Sequence, residues 1–212
     1  FTNRAAREMR ARIESELGAA AAGVWIGTFH ATAMRILRRE AGPLGLPPGF
    51  TIYDRDDQES ILRELIREAG LPDTVYRTGV VLARISDAKN ALVRPAEAER
   101  AAMGDFDRHV AALYGKYQSA LRRAGALDFD DLIAETVRLW LDQPDAGARW
   151  SRRFQHVLVD EYQDTNHAQF RLVQYLGSVH HNVFVVGDDD QSIYGWRGAD
   201  LANVLDFERT FP

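Results

Sequence analysis

Two short runs of uninterrupted apolar residues, each ending in carboxylates, constrain this chain more than anything else in it. Val157-Leu158-Val159 runs into Asp160-Glu161, and Val183-Phe184-Val185-Val186 runs into Gly187-Asp188-Asp189-Asp190-Gln191. Between them, Ala168 to Leu176 carries apolar residues at helical spacing. The order strand, helix, strand predicts a βαβ unit, and continuous apolar runs instead of alternation predict parallel strands covered on both faces. Two parallel strands present their carboxylate-bearing ends at one edge, where open α/β sheets bind ligands. Carboxylates gathered there suit a hard cation with phosphate on its far side. One would hold magnesium and its neighbour would act as a base. Spacing alone leaves nucleotide hydrolysis, a magnesium nuclease, a phosphatase and plain solvated turn residues as alternatives.

The rest of the chain divides by its apolar periodicity. Ala5, Met9, Ile13 and Leu17 recur every four residues and predict an amphipathic helix, capped by Thr2 or Asn3 and stopped at Gly18. Val24 to Phe29 reads as a short buried strand. A helix through Met34 and Leu37 follows and breaks in the Gly/Pro cluster from Gly42 to Gly49, before a short strand from Phe50 to Tyr53. From Asp54 to about Gly125 every apolar pattern is helical, including Ile61, Leu62, Leu65 and Ile66, then Val81, Leu82 and Ile85, then Val110, Leu113, Tyr117 and Leu121. The expected organisation is an α/β domain over residues 1–53 and 126–212, with an all-helical insertion over 54–125. A further helix is expected near Asp130 to Leu141. The chain starts at Phe1 and stops at Pro212 without lead or tail, which predicts a piece of something longer.

Composition narrows the classes. With 46% hydrophobic and 27% charged residues, the chain is too apolar for disorder. It has no cysteine, which excludes disulfides and thiolate metal sites, and nothing argues for an oxidising compartment. No stretch approaches the roughly 20 apolar residues of a membrane span. The expected location is the cytoplasm. The net charge of -5 does not advertise a nucleic-acid binder, although local patches can still serve. The only lysines are Lys89 and Lys116, so the basic residues are nearly all arginines.

Longer words add to the two carboxylate clusters. Asp160-Glu161-Tyr162-Gln163-Asp164-Thr165-Asn166 resembles the Walker B segment of superfamily 1A DNA helicases of the UvrD/Rep/PcrA type. Gly187-Asp188-Asp189-Asp190-Gln191-Ser192-Ile193-Tyr194-Gly195-Trp196-Arg197-Gly198-Ala199 resembles their motif III. Phe1-Thr2-Asn3-Arg4-Ala5-Ala6-Arg7-Glu8-Met9 is similar to motif Ia, and Gly27-Thr28-Phe29-His30 to motif Ib. Leu127-Asp128-Phe129-Asp130-Asp131-Leu132 is similar to the segment that re-enters the motor domain. The words come in family order and cover the whole chain.

The resemblance implies a RecA-like P-loop NTPase fold, present in part, with the helical insertion as the family's 1B subdomain. It implies an ATP-dependent helicase moving 3′ to 5′ on single-stranded DNA and at single-strand/duplex junctions. It places magnesium at Asp160 through the hydration shell, the water-activating base at Glu161 and a γ-phosphate sensor at Gln191, so that Asp160, Glu161 and Gln191 together meet ATP and Mg2+. Phosphoryl transfer asks chiefly for positioning and charge neutralisation from such groups. Tyr194, Trp196 and Arg197 would form a platform on which bases stack without sequence preference. Phe1, Thr28 and His30 would line the same track.

The Walker A motif, G-x-x-x-x-G-K-[ST], does not occur in these residues. Gly18 to Gly23 has its glycine spacing, but Val24-Trp25 follows where Lys-Ser/Thr is required. The chain alone is therefore expected not to hydrolyse ATP. Two other readings stay open: a single-strand DNA-binding module without ATPase activity, and the motor part of a helicase-nuclease. His180-His181 lacks a plausible third ligand and is expected to be solvated. Arg35, Arg38 and Arg39 cluster on one helix, where phosphate contact and a solvated face are both open readings.

Overall fold

In the computed structural model, residues 3–188 and 207–211 are described. The architecture is mostly helical, with two small parallel sheets. The helices are α1 (Asn3–Leu17), α2 (Phe29–Arg39), α3 (Arg55–Glu68), α4 (Thr78–Asn90), α5 (Pro95–Ala101), α6 (Asp105–Arg123), α7 (Phe129–Asp142), α8 (Pro144–Arg153), α9 (His167–Leu176) and α10 (Phe207–Thr210). The strands are β1 (Thr51–Ile52), β2 (Ala126–Leu127), β3 (Val157–Val159) and β4 (Val183–Val185).

Helices α3 to α6 leave the chain after β1 and return to it at β2. These two strands pair in parallel, Thr51 with Ala126 and Ile52 with Leu127. Thr51 N donates to Gly125 O at 3.1 Å and Tyr53 N to Leu127 O at 2.8 Å, so the two ends of the helical block are stitched together. Gly125 makes the return turn at φ +61°, where a Cβ would also meet Pro47 Cγ at 3.0 Å.

One apolar core joins α2, α7, α8 and α9 through Ile36, Leu37, Leu132, Ile133, Trp140, Trp150 and Leu172. A second fills the helical block through Leu62, Ile66, Val81, Ile85, Leu113, Tyr117 and Leu121. One long helix of each region begins on a capping box. Asp54 and Asp57 exchange side-chain and backbone hydrogen bonds at the start of α3, and Asp128 and Asp131 do so at the start of α7.

Between the two cores lies a buried ion network. Lys89 Nζ, at the end of α4, lies 2.6 Å from Asp128 Oδ2 and 2.8 Å from Asp131 Oδ1, with all three side chains excluded from solvent. Tyr117 donates to the same Asp128 oxygen at 2.9 Å, and Gln118 Nε2 donates to Asp131 at 3.0 Å. Burial alone would depress the Lys89 ammonium, but Asp131 and Asp128 more than offset it and hold it above its ordinary value.

Several expectations need correction. Val24 to Ile26 joins no sheet among the described residues, and the chain turns into α2 at Phe29 because the Thr28 side chain accepts from Ala31 N at 3.2 Å. The apolar run there signals burial of Trp25 against Trp150 and Phe154, not strand pairing. The second expected strand is confined to Thr51–Ile52. Met9 and Leu17 of α1 are exposed, so the stripe read there does not face the core. Helix α8, which follows α7 almost without a break, was not expected.

The apolar runs of β3 and β4 are not covered on both faces. Leu158 and Phe184, partners in register, are 75% and 63% exposed. Pleating sends them to one side while Val159 packs with Tyr162 and Val173 on the other.

Candidate functional site

The parallel pair β3 and β4 brings the two acidic segments together. Val157 pairs with Val183, Leu158 with Phe184 and Val159 with Val185. Beyond the strands the segments remain bonded, with Val186 N donating to Val159 O at 2.8 Å and Tyr162 N to Val186 O at 2.9 Å. Asp160-Glu161 and Gly187-Asp188 therefore leave the sheet at the same edge.

Glu161 occupies the left-handed region at φ 54° and ψ 44°, a conformation that costs a residue with a Cβ of order 1 kcal/mol or more. The turn is held by Glu161 N donating to Asp160 Oδ1 at 3.1 Å and by the 3-10 turn Tyr162–Asp164 that follows. Asp160 is exposed and Glu161 half-buried, so both carboxylates are reachable from solvent.

Gln163 is the residue that the sequence did not single out. Its side chain is fully buried; Nε2 donates to Glu161 Oε2 at 2.8 Å, and Oε1 accepts from Asp188 N at 3.1 Å. One amide thus links the carboxylate after β3 to the backbone after β4. The fit is tight, since a Cβ on Gly187 would stand 2.6 Å from Gln163 Oε1 and 3.2 Å from its backbone nitrogen. Only the pairing of the two segments makes this bridge visible. Below it, Tyr162 is buried against Phe207, with ring centroids 5.6 Å apart, and burial pushes its phenol up to about 12. Burial, then the Glu161 carboxylate, push Asp164 above the usual carboxylate range.

Among the described residues no three His, Asp or Glu side chains gather as a metal cage. An exposed aspartate with a neighbouring glutamate instead suits a cation that keeps most of its water and takes phosphate as a further ligand, which is the habit of magnesium. The histidine pair is no ligand set either: His180 Nε2 lies 3.4 Å from Arg152 O, and His181 sits in the turn at φ 55°. Gly18–Gly23 folds as a 3-10 helix.

The second candidate region is the segment before α2. Thr28 caps the helix, and His30 in its first turn stacks on Phe129 of α7 at a centroid distance of 3.8 Å and an interplanar angle of 20°. Burial lowers the His30 imidazole to about 4, so it is neutral at physiological pH. Beside it, Ala6, Arg7 and Arg10 of α1 face Ile26, Gly27 and Ala31 across an open groove of about 220 Å³. Thr28 and His30 thus lie together at the start of α2, whereas Phe1, Gln191, Tyr194, Trp196 and Arg197 lie outside the described residues.

The acidic segment is tied to the helical block. Asn166, which caps α9 just after the Asp160-to-Thr165 turn, donates from Nδ2 to Asn90 Oδ1 at 2.9 Å, and Asn90 is the last residue of α4 beside Lys89.

The chain matches the UvrD/REP helicase N-terminal domain over residues 1–212. It is 45% identical over 212 residues to the ATP-dependent DNA helicase PcrA of Bacillus subtilis strain 168, and 44% identical over 212 residues to the PcrA helicase of Staphylococcus aureus strain Mu50. Each alignment takes in 100% of this chain and 29% of the relative. A Leuconostoc citreum protein of the same name is 45% identical over 213 residues, of which the chain covers 28%. The chain therefore spans less than a third of the length of these relatives, and every residue of it takes part in the match. With two acidic segments bonded side by side at one edge of a parallel pair and the family model matched from end to end, this chain belongs to the UvrD/REP helicase N-terminal domain family.

Proposed function

We propose that the chain is part of an ATP-dependent DNA helicase that moves 3′ to 5′ along single-stranded DNA and opens duplex at junctions. In this reading residues 1–53 and 126–212 belong to a RecA-like motor domain and residues 54–125 are its inserted helical subdomain. The observation that carries it is the Gln163 bridge, which joins Glu161 to the backbone of Asp188 at the strand edge where a nucleotide would bind.

Asp160, exposed at the end of β3, would hold a magnesium ion through water. Magnesium would supply charge neutralisation for the phosphates. Glu161 is the base that orients and deprotonates the attacking water; its carboxylate is fixed by Gln163 on one side and by the left-handed turn on the other. Gln191 is assigned to the γ-phosphate. Thr28 and His30 would meet the DNA backbone, with the neutral imidazole acting as a hydrogen-bonding group and not as a charge. Phe1, Tyr194, Trp196 and Arg197 would complete the track by stacking on bases. The protein would work in the cytoplasm, in keeping with the absence of any helix long and apolar enough to cross a membrane among the described residues.

The test is steady-state and single-turnover ATPase, with and without single-stranded DNA, on a full-length protein carrying this chain with Glu161 or with Glu161→Gln. Loss of DNA-stimulated hydrolysis with nucleotide binding retained is expected. Unchanged hydrolysis would remove Glu161 as the base.

A further inference from the structure

Three guanidinium groups converge on Trp25. The Cζ atoms of Arg35, Arg39 and Arg153 lie 3.9, 5.1 and 5.5 Å from its ring centroid, and those of Arg39 and Arg153 each lie 6.0 Å from the ring of Trp150. The indole is itself fixed, edge-on to Trp150 at 5.8 Å and to Phe154 at 5.0 Å. Arg35 and Arg39 come from α2 and Arg153 from the end of α8, more than a hundred residues away, so tertiary packing assembles the cluster.

The charge is not neutralised locally. All three arginines are exposed, and among the described residues none of them forms an ion pair. Glu40 and Glu14 are engaged with other groups. Glu40 accepts from Trp150 Nε1 at 2.8 Å and faces Arg149 at 3.6 Å, while Glu14 faces Arg10 at 3.8 Å. Arg10, which faces Glu14, donates to Ile26 O at 2.7 Å and links the patch to the edge of the Gly27–His30 segment. Partial burial, then the like charges of Arg39, Arg10 and Arg153, hold the Arg35 guanidinium below its ordinary value. Packing has therefore concentrated repelling charges in a chain whose net charge is -5.

We propose that Arg35, Arg39 and Arg153, held in place by Trp25, form a second binding surface for the phosphodiester backbone of DNA, continuous with the Gly27–His30 segment through Arg10. A guanidinium stacked on an aromatic ring keeps its N–H edge for oxyanions. Arg35 already stacks over Trp25 and two rings meet the indole edge-on, so recognition by this cluster falls to charge. Backbone contact of this kind positions DNA without reading its sequence. The inference rests on the reading of the chain as part of a DNA-acting protein.

The test uses a full-length protein carrying this chain. Fluorescence anisotropy is measured with a labelled single strand and a blunt duplex over a titration from about 50 to about 200 mM salt. Joint Arg35→Gln and Arg39→Gln substitution is expected to weaken binding by on the order of tenfold. It should also flatten the log–log salt slope by about 1.4 on single strands or about 1.8 on duplex. The probe that responds identifies which backbone is gripped, and the Arg→Lys pair should retain most of the slope. In parallel, arginine modification by a dicarbonyl reagent, read by peptide mass spectrometry on the unmutated protein, should be suppressed at Arg35, Arg39 and Arg153 by bound DNA; this readout does not depend on a variant folding. Unchanged affinity and slope on both probes, or no protection, would reduce the cluster to a clamp on Trp25 while the helicase reading stands. If the unmutated protein binds neither probe, both fall together.

Discussion

Asn90 and Asn166, 76 residues apart, share a side-chain hydrogen bond of 2.9 Å between the last residue of α4 and the cap of α9. The same Asn166 accepts from Gln169 N at 3.0 Å and so starts the helix that follows the Asp160–Glu161 turn. A polar pair thus couples the helical block to the neighbourhood of the candidate nucleotide site.

Asn166→Ala is expected to cost about 1–2 kcal/mol, because it removes a cap and a hydrogen bond. Asn90→Ala is expected to cost about 0.5–1.5 kcal/mol. Urea unfolding of both single variants and the double variant should give a coupling energy clearly above zero. Strict additivity would mean that the contact carries no energy.

Lys89 should be among the least replaceable residues of the chain. Lys89→Met leaves Asp128 and Asp131 buried without their cation, and breaking such a pair typically costs about 3–5 kcal/mol. Asp128 also caps α7 through Asp131 N at 2.9 Å, so loss of helix should accompany the drop in midpoint when unfolding is followed by circular dichroism. A variant as stable as the parent would contradict this account.

His30 should titrate near pH 4, well below the 6.5 of a free imidazole. The sign follows from burial. The folded state resists protonation more than the unfolded state does, so stability falls as pH drops from about 6.5 towards 4 and this contribution is flat above 6.5. Phe129→Ala uncovers the ring and should move the His30 midpoint upward in an NMR titration of its carbon-bound imidazole protons. A midpoint near 6.5 in the parent chain would show that the stack on Phe129 does not exclude water.

The bridge at the strand edge can be cut from either side. Gln163→Leu keeps bulk but removes both hydrogen bonds, and Gly187→Ala drives a methyl group to 2.6 Å from the same amide oxygen. Both should reduce kcat of a full-length protein more than they raise KM for ATP, by about one to two orders of magnitude if Glu161 is mispositioned as a general base. An effect on KM alone would assign Gln163 to nucleotide binding.

The helical block and the βαβ order were legible because long, strongly periodic segments and strand-ending carboxylates are local signals. The buried side of the carboxylate site was not. Gln163 acquires its role only when Tyr162 N bonds Val186 O and brings the two segments together, and nothing in the spacing of the residues encodes that pairing. The run from Val24 to Phe29 misled for a related reason, since Trp25 is apolar in order to pack on Trp150 and Phe154 and to carry arginines, not to join a sheet. Lys89 gave no sign of burial either, because its partners Asp128 and Asp131 lie about forty residues away.

That buried lysine leaves the folded chain with a single exposed side-chain amine. Lys116 stands open on α6, while Lys89 is sealed and held as an ammonium, a form that does not attack acylating reagents. A mild N-hydroxysuccinimide dye should therefore label Lys116 and pass over Lys89 while the fold lasts. Acylation at Lys89 would then mark the moment the two cores come apart, a chemical clock for unfolding that needs no mutation.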